Sequence, residues 1–94
     1  MLTVSEYFEG KVKSIAVEGN ELPATVGVMS AGEYSFGTDY KEIMSVVCGK
    51  LIVQLPDTDK WVEFTDGDVF NVDANKTFKL KVPVDTAYLC KYIK

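Results

Sequence analysis

The stretch Gly32-Glu-Tyr-Ser-Phe-Gly-Thr-Asp-Tyr-Lys-Glu-Ile-Met-Ser-Val-Val-Cys-Gly49 decides the fold of this chain. A short aromatic segment, residues 33–37, opens it, and its last part, residues 43–48, is rich in the β-branched residues that favour strands. Glu42 and Gly49 lie seven positions apart, and the chain contains no histidine. The stretch therefore predicts two strands and lacks the commonest metal ligand.

This spacing resembles the first signature of cupin barrels. In a metal-binding cupin, two histidines one residue apart precede the glutamate and the glycine, and Phe36 and Thr38 stand at those two positions here. A second signature starts at Gly67, and Phe78 stands where its histidine would fall. A transition metal needs several converging lone-pair donors, and Glu42 alone cannot supply them. We therefore expect a cupin fold without a bound metal.

The remainder of the chain predicts short strands broken by turn residues, at the spacing of about 8–12 residues that is typical of sandwiches and barrels. The predicted strands are residues 11–18, 24–30, 33–37, 43–48, 51–55, 60–65, 69–72, 77–82 and 86–93. In the first strand the apolar positions are Val12 and, after a slip, Ile15 and Val17. Only residues 3–9 are expected to form a helical turn. The prediction is an all-β fold, a single cupin-type (RmlC-like jelly-roll) barrel spanning residues 1–94.

Composition excludes several classes of protein. Hydrophobic residues make up 47% of the chain, which argues against disorder. The net charge is -4 and every basic residue is a lysine, so no nucleic acid partner is expected. No apolar run reaches the length of a membrane span, and the first residues lack a basic leader, so we expect a cytoplasmic protein without a membrane partner. The two cysteines, Cys48 and Cys90, are expected to be reduced.

Nearly the whole chain resembles the small bacterial pyrimidine/purine nucleoside phosphorylases, a family with a cupin fold. The matching positions include residues 6–8, 10–15, 26–29, 32–34, 36, 38, 42, 44, 49, 55–56, 61, 67, 70–72, 78, 88–90 and 92. The chain departs from one member of the family at residues 73–75, where that member has a Pro-Gly-His turn, and at Lys91, where it has arginine. The resemblance implies cleavage of purine and pyrimidine nucleosides by inorganic phosphate, with no cofactor.

The implied reaction assigns tasks to particular side chains. Glu42 is the candidate catalytic residue, because a carboxylate can bind the ribose hydroxyls and stabilise positive charge on the sugar. Lys91 is the candidate for holding phosphate, provided that its face of the last strand points inward. Thr38 is a candidate hydroxyl donor to the same anion, or else a threonine that merely suits a strand end.

Aromatic side chains form the third element of the predicted site. The candidates for a wall on which a nucleobase stacks are Phe36, first of all, and Tyr34, Phe70, Phe78 and Tyr92. Such a wall accepts any base because every base has a π-face. Ordinary barrel filling is the alternative interpretation, and it is preferred for Phe70. Met29 and Met44 are expected to lie in the core.

Other functions stay open at this level. A cupin without a metal can be a small-molecule binding or sensor protein without turnover. A sugar isomerase or epimerase is a weaker alternative, because such chemistry usually uses a histidine base. Small barrels commonly pair about a two-fold axis, and we expect a homodimer.

Overall fold

The computed structural model describes residues 2–94, which fold into strands joined by turns. The strands are β1 (Val4–Tyr7), β2 (Val12–Val17), β3 (Ala24–Met29), β4 (Gly32–Gly37), β5 (Lys41–Cys48), β6 (Lys50–Gln54), β7 (Trp61–Thr65), β8 (Val69–Val72), β9 (Thr77–Val82) and β10 (Thr86–Ile93). The predicted bounds of β8, β9 and β10 agree with the observed ones. No helix in residues 2–94 has the length and hydropathy that a membrane crossing requires.

The strands form two sheets that face each other. The larger sheet has the order β1-β2-β3-β10-β5-β8, and the smaller has the order β4-β9-β6-β7. Neighbouring strands pair antiparallel throughout. The last strand, β10, lies in the middle of the larger sheet between β3 and β5. The arrangement confirms the predicted all-β cupin-type fold.

Inward-facing side chains of both sheets form one core. It contains Met29 and Met44, as predicted, and Phe70 stacks on Phe64 with ring centroids 4.5 Å apart. Phe70 is therefore a packing residue, which agrees with the preferred interpretation of the sequence. The other buried apolar members are Val12, Tyr34, Val46, Leu51, Val53, Val72, Phe78, Leu80, Val82, Tyr88 and Cys90.

Two local predictions are wrong. Residues 3–9 form no helical turn, because Val4–Tyr7 pairs with β2 and the chain then turns through Phe8, Glu9 and Gly10, all with positive φ. In β2 no slip interrupts the alternation. Val12 and Ser14 are both buried, and Ile15 lies on the opposite face. Because the inward face of β2 carries the polar Ser14, the apolar residues alone do not show its alternation. Ser14 lines a cavity rather than a solid core.

The glycine that closes the first signature has a structural cause. Gly49 has a φ of 114°, and a Cβ atom at this position would collide with Thr86. Thr86 is fully buried, and its hydroxyl donates to the Val84 carbonyl at 2.8 Å and accepts from the Lys50 amide at 3.0 Å. This tight junction carries the chain from β5 into β6 and so sets the position of β5, which bears Glu42.

Candidate active site

A cavity of about 760 Å³ lies between the sheets and opens at one end of the barrel. This volume is within the range of about 300–1,000 Å³ that is usual for small-molecule sites. It includes Glu42, Phe36 and Tyr92 in its lining, so the fold brings these three predicted site residues together.

One wall of the cavity is polar. It is the inner face of the larger sheet, where Ser14 of β2, Thr25 of β3, Glu42 of β5, and Cys90 and Tyr92 of β10 all line the space. Alternation along each strand explains the set, since successive side chains of a strand point to opposite faces. The register agrees, because Glu42 is paired with Tyr92 across β5 and β10.

The opposite wall is aromatic and comes from the smaller sheet. Phe36 of β4 is paired with Phe78 of β9, and their rings stack with centroids 6.0 Å apart and planes 29° apart. Tyr7 of β1 closes this side with its ring edge toward Phe36, at 6.2 Å. Phe36 and Phe78 occupy two of the positions where the cupin signatures have histidine. No group of three metal-ligating side chains (His, Cys, Asp or Glu) occurs in residues 2–94.

Glu42 is the half-buried carboxylate of the polar wall. Burial raises its pKa above the usual value; a hydrogen bond from Cys90 opposes this rise, and the nearby charge of Asp39 adds to it. Its Oε1 atom lies 3.5 Å from the Cys90 sulfur. A partly desolvated carboxylate interacts with a positive charge more strongly than one in bulk water does.

The tyrosines near Glu42 are neutral hydrogen-bonding groups. The Tyr92 and Thr25 hydroxyl oxygens are 3.1 Å apart and share a hydrogen bond. Burial raises the pKa of Tyr92, and it raises the pKa of Tyr88 to about 12. Both phenols therefore stay protonated at neutral pH and can orient a sugar, but they cannot serve as bases.

The mouth of the cavity carries charges of both signs. Glu18 and Asp39 lie there with Lys94, whose ammonium is 5.1 Å from the centroid of the Tyr40 ring. Lys94 is the only lysine lining the cavity within residues 2–94. Lys94 could not be identified from the sequence, because it follows the last strand and its position depends on the folded barrel.

Lys91 was a candidate for holding phosphate on the condition that its side chain faces inward, and the structure does not meet this condition. Its side chain is exposed on the outer face of β10, while its neighbours Cys90 and Tyr92 point inward and line the cavity. Successive side chains of β10 point to opposite faces, so Lys91 cannot share a face with Cys90 and Tyr92. The inward face of the strand is occupied by Tyr88, Cys90 and Tyr92. Lys91 therefore has no geometric path to an anion bound inside the barrel.

Two further candidates lie outside the cavity lining. Thr38 is buried, and its hydroxyl donates to the Asp73 carbonyl at 2.6 Å and accepts from the Lys76 amide at 3.1 Å, which fastens the turn before β9. Tyr34 is also buried; its hydroxyl donates to the Ser30 carbonyl at 2.7 Å. The Thr38 hydroxyl is thus engaged in holding this turn and does not face the cavity. Tyr34 packs in the core beside Phe36.

Sequence reasoning missed three polar wall residues, Ser14, Thr25 and Cys90. Each is a small side chain on a central strand, a type of position that packing alone could equally explain. The alternation of Tyr88, Cys90 and Tyr92 was a usable signal, because it defines one continuous face of β10.

Comparison with known proteins agrees with this architecture. The sequence profile of the pyrimidine/purine nucleoside phosphorylase family matches residues 2–92. A pyrimidine/purine nucleoside phosphorylase of Saccharophagus degradans is 65% identical over 94 residues, which is 100% of both chains. A crystal structure of a Vibrio parahaemolyticus protein of unknown function superposes with a TM-score of 0.94 at 40% identity, covering 99% of each chain.

A more distant structure shows the same fold. An RmlC-like cupin from Shewanella frigidimarina superposes with a TM-score of 0.77 at 20% identity, covering 97% of this chain and 82% of the other. The profile match and the identity to the Saccharophagus protein both extend over nearly the full sequence. The chain therefore belongs to the pyrimidine/purine nucleoside phosphorylase family.

Proposed function

We propose that this protein is a pentosyltransferase that cleaves purine and pyrimidine nucleosides with inorganic phosphate, giving the free base and ribose 1-phosphate. The observation that carries the proposal is the division of the cavity into an aromatic wall and a polar wall that holds one half-buried carboxylate. A nucleoside has the same division, since its base is flat and its ribose bears hydroxyl groups.

The base stacks on the aromatic wall. Phe36 and Phe78 both line the cavity, and stacking of a base on an aromatic ring tolerates any base. Asn20 is the only side-chain amide that lines the cavity in the described chain, so few groups are present to read the edge of a base. Acceptance of both purines and pyrimidines follows from this composition.

The ribose lies against the polar wall. Glu42 accepts hydrogen bonds from the ribose hydroxyls, and the Thr25 and Tyr92 hydroxyls assist in holding the ring. Cleavage of a glycosidic bond passes through a transition state with oxocarbenium character. The negative charge of Glu42 stabilises that cation more than it stabilises the neutral substrate, which is the condition for catalysis.

Phosphate is the co-substrate and the nucleophile. One of its oxygens forms the bond to C1′, while the C1′–N bond breaks and its electron pair leaves with the base. Monohydrogen phosphate carries one proton, which neutralises the departing base and balances the reaction. We assign the phosphate anchor to Lys94, because it is the only lysine that lines the cavity within residues 2–94 and an ammonium group attracts an anion.

Release of base from uridine and adenosine, with and without added phosphate, tests the proposal. We expect release only when phosphate is present, with ribose 1-phosphate formed in equal amount. Hydrolysis without phosphate would contradict it. Binding of nucleoside without any release under either condition would instead identify a binding or sensor protein, the alternative function of a cupin without a metal.

We further propose that the enzyme acts in nucleoside salvage in the cytoplasm and works as a homodimer. A row of side chains that bears no charge crosses the outer face of the larger sheet in register: Val4, Ile15, Val26, Leu89, Ser45 and Val69. A two-fold axis can place such a row against its own copy, as in face-to-face sheet packing. Analytical ultracentrifugation should show a dimer that becomes a monomer in Val26→Glu; a wild-type monomer would contradict the proposal.

A further inference from the structure

Cys90 contacts the candidate catalytic carboxylate from the neighbouring strand. Its sulfur lies 3.5 Å from Oε1 of Glu42, a distance suited to an S–H···O hydrogen bond. The register explains the contact: Tyr92 is paired with Glu42 and Cys90 with Met44, so Cys90 is the diagonal neighbour of Glu42 on the same inward face.

The thiol is a donor in this contact rather than a nucleophile. Cys90 is only 2% exposed. Burial, and next the negative charge of Glu42, raise the pKa of Cys90 to about 12. The sulfur therefore keeps its proton at neutral pH, and a protonated thiol beside a carboxylate donates to it.

Cys90 is also the only group in residues 2–94 that hydrogen-bonds to the Glu42 carboxylate, and the ion pairs of this part of the chain join other residues. A glutamate side chain with no such contact samples several rotamers. With Oε1 fixed by the thiol, Oε2 remains available for a ribose hydroxyl.

We propose that Cys90 is a positioning residue, whose thiol holds Glu42 in the orientation that binds ribose. The inference rests on the proposed phosphorolysis and adds a residue to it. Cys90 does not touch the reacting atoms; it acts through the carboxylate.

The surroundings of Glu42 predict a pH signature for this role. Tyr92 and Tyr88 face it from β10 as neutral phenols, the buried Val72 is its partner on β8, and Asp39 approaches from the turn before β5. Asp39 favours protonation of Glu42, whereas the Cys90 hydrogen bond opposes it. Loss of the thiol therefore removes a contact that lowers the pKa of Glu42, so that pKa should rise.

Three variants test the proposal: Cys90→Ala, Cys90→Ser, and Cys48→Ala as a matched control at an exposed cysteine remote from the cavity. The readout is the pH profile of kcat/KM for phosphorolysis of uridine. We expect the acidic limb of Cys90→Ala to move to higher pH by about one unit, with about tenfold lower kcat/KM on that limb. Cys90→Ser keeps a donor and should return toward the wild-type profile, and Cys48→Ala should match it.

A second readout needs no turnover. The carboxyl carbon of Glu42 can be titrated by NMR in ¹³C-labelled protein, and its pKa should be higher in Cys90→Ala than in wild type. If no phosphorolysis is found, the proposed function fails while this titration still decides the contact. Should Cys90→Ala not fold, Cys90→Val also lacks a donor and suits a strand. An unchanged Glu42 titration, or a changed titration with an unchanged acidic limb, would overturn the positioning role.

Discussion

The Tyr88 ring lies directly over Gly27, its partner across β3 and β10. A Cβ atom at position 27 would overlap the ring, so the glycine creates the space in which Tyr88 packs against the sheet. Tyr88 in turn lines the cavity together with Ser14 and Cys90. The absence of a side chain at Gly27 therefore determines how closely Tyr88 packs on β3.

Gly27→Ala should destabilise the protein and reduce activity. The added methyl group forces Tyr88 away from β3, and overpacking of this kind typically costs about 1–3 kcal/mol. Urea unfolding measures the change. Val62→Ala, at an exposed position of β7, is the control and should change stability by no more than about 0.5 kcal/mol. A Gly27→Ala protein as stable as this control would show that Tyr88 has room to move.

Phe36→Leu should weaken the binding of every nucleoside. Leucine keeps an apolar surface but removes the ring. Base–aromatic stacking is worth about 1–3 kcal/mol per base, which corresponds to a rise in KM of about 5- to 150-fold. Steady-state kinetics with uridine and adenosine measures the effect. Phe64→Leu removes a ring that stacks on Phe70 rather than in the cavity and is the matched control. A rise in KM for only one class of base would contradict a shared stacking wall.

Two lysines close in sequence should behave differently toward phosphate. Lys94→Ala removes the ammonium at the mouth and should raise the KM for phosphate about tenfold, the typical effect of losing a charge-assisted hydrogen bond. Lys91→Ala changes only the outer face of β10 and should leave that KM unchanged. The comparison uses phosphate saturation curves at constant nucleoside. The reverse pattern would place phosphate outside the barrel.

Glu42→Gln should stabilise the fold at neutral pH while it removes activity. Burial raises the pKa of Glu42, so the folded state holds a proton more tightly than the unfolded state does. Stability from this group is present below the unfolded pKa and is lost as pH rises through the folded pKa. Glutamine carries no charge and avoids that loss, so its Tm should exceed that of wild type at pH 7 and approach it in acid. Equal Tm values for Glu42→Gln and wild type at pH 7 would show that burial of the charged carboxylate does not destabilise the fold.

The fold was predictable because its signals are local. The tight junction at Thr86 leaves no room for a side chain at position 49, which explains the glycine of the cupin signature. Glu42 lies at the expected spacing of seven positions before it. The strands β9 and β10 alternate cleanly and are bounded by turn residues, so even their ends agree with the prediction. Glu42 was identified for the same reason, because it lies within the signature.

What the sequence does not predict is the face of the sheet to which a side chain points and the groups with which it hydrogen-bonds. Both depend on the whole barrel. Lys91 occupies a strand that can point either set of side chains inward, and only the packing of β10 between β3 and β5 decides which. The Thr38 hydroxyl hydrogen-bonds with the Asp73 carbonyl and the Lys76 amide, which are far away in sequence. Ser14 faces inward with Val12 because it belongs to the polar wall, so the apolar residues alone do not show the alternation of β2. In each case, contacts between residues distant in sequence determine the orientation or the hydrogen bonds of the side chain.

The rate of phosphate-dependent base release in Glu42→Gln, relative to wild type, tests the central claim most directly. Electrostatic stabilisation of a transition state typically contributes about 100-fold or more to kcat, so we expect a loss of that order in Glu42→Gln. Glu33→Gln, which alters an exposed carboxylate of β4, should retain the wild-type rate. Phosphorolysis at the wild-type rate in a folded Glu42→Gln protein would contradict the assignment of the cavity as the active site.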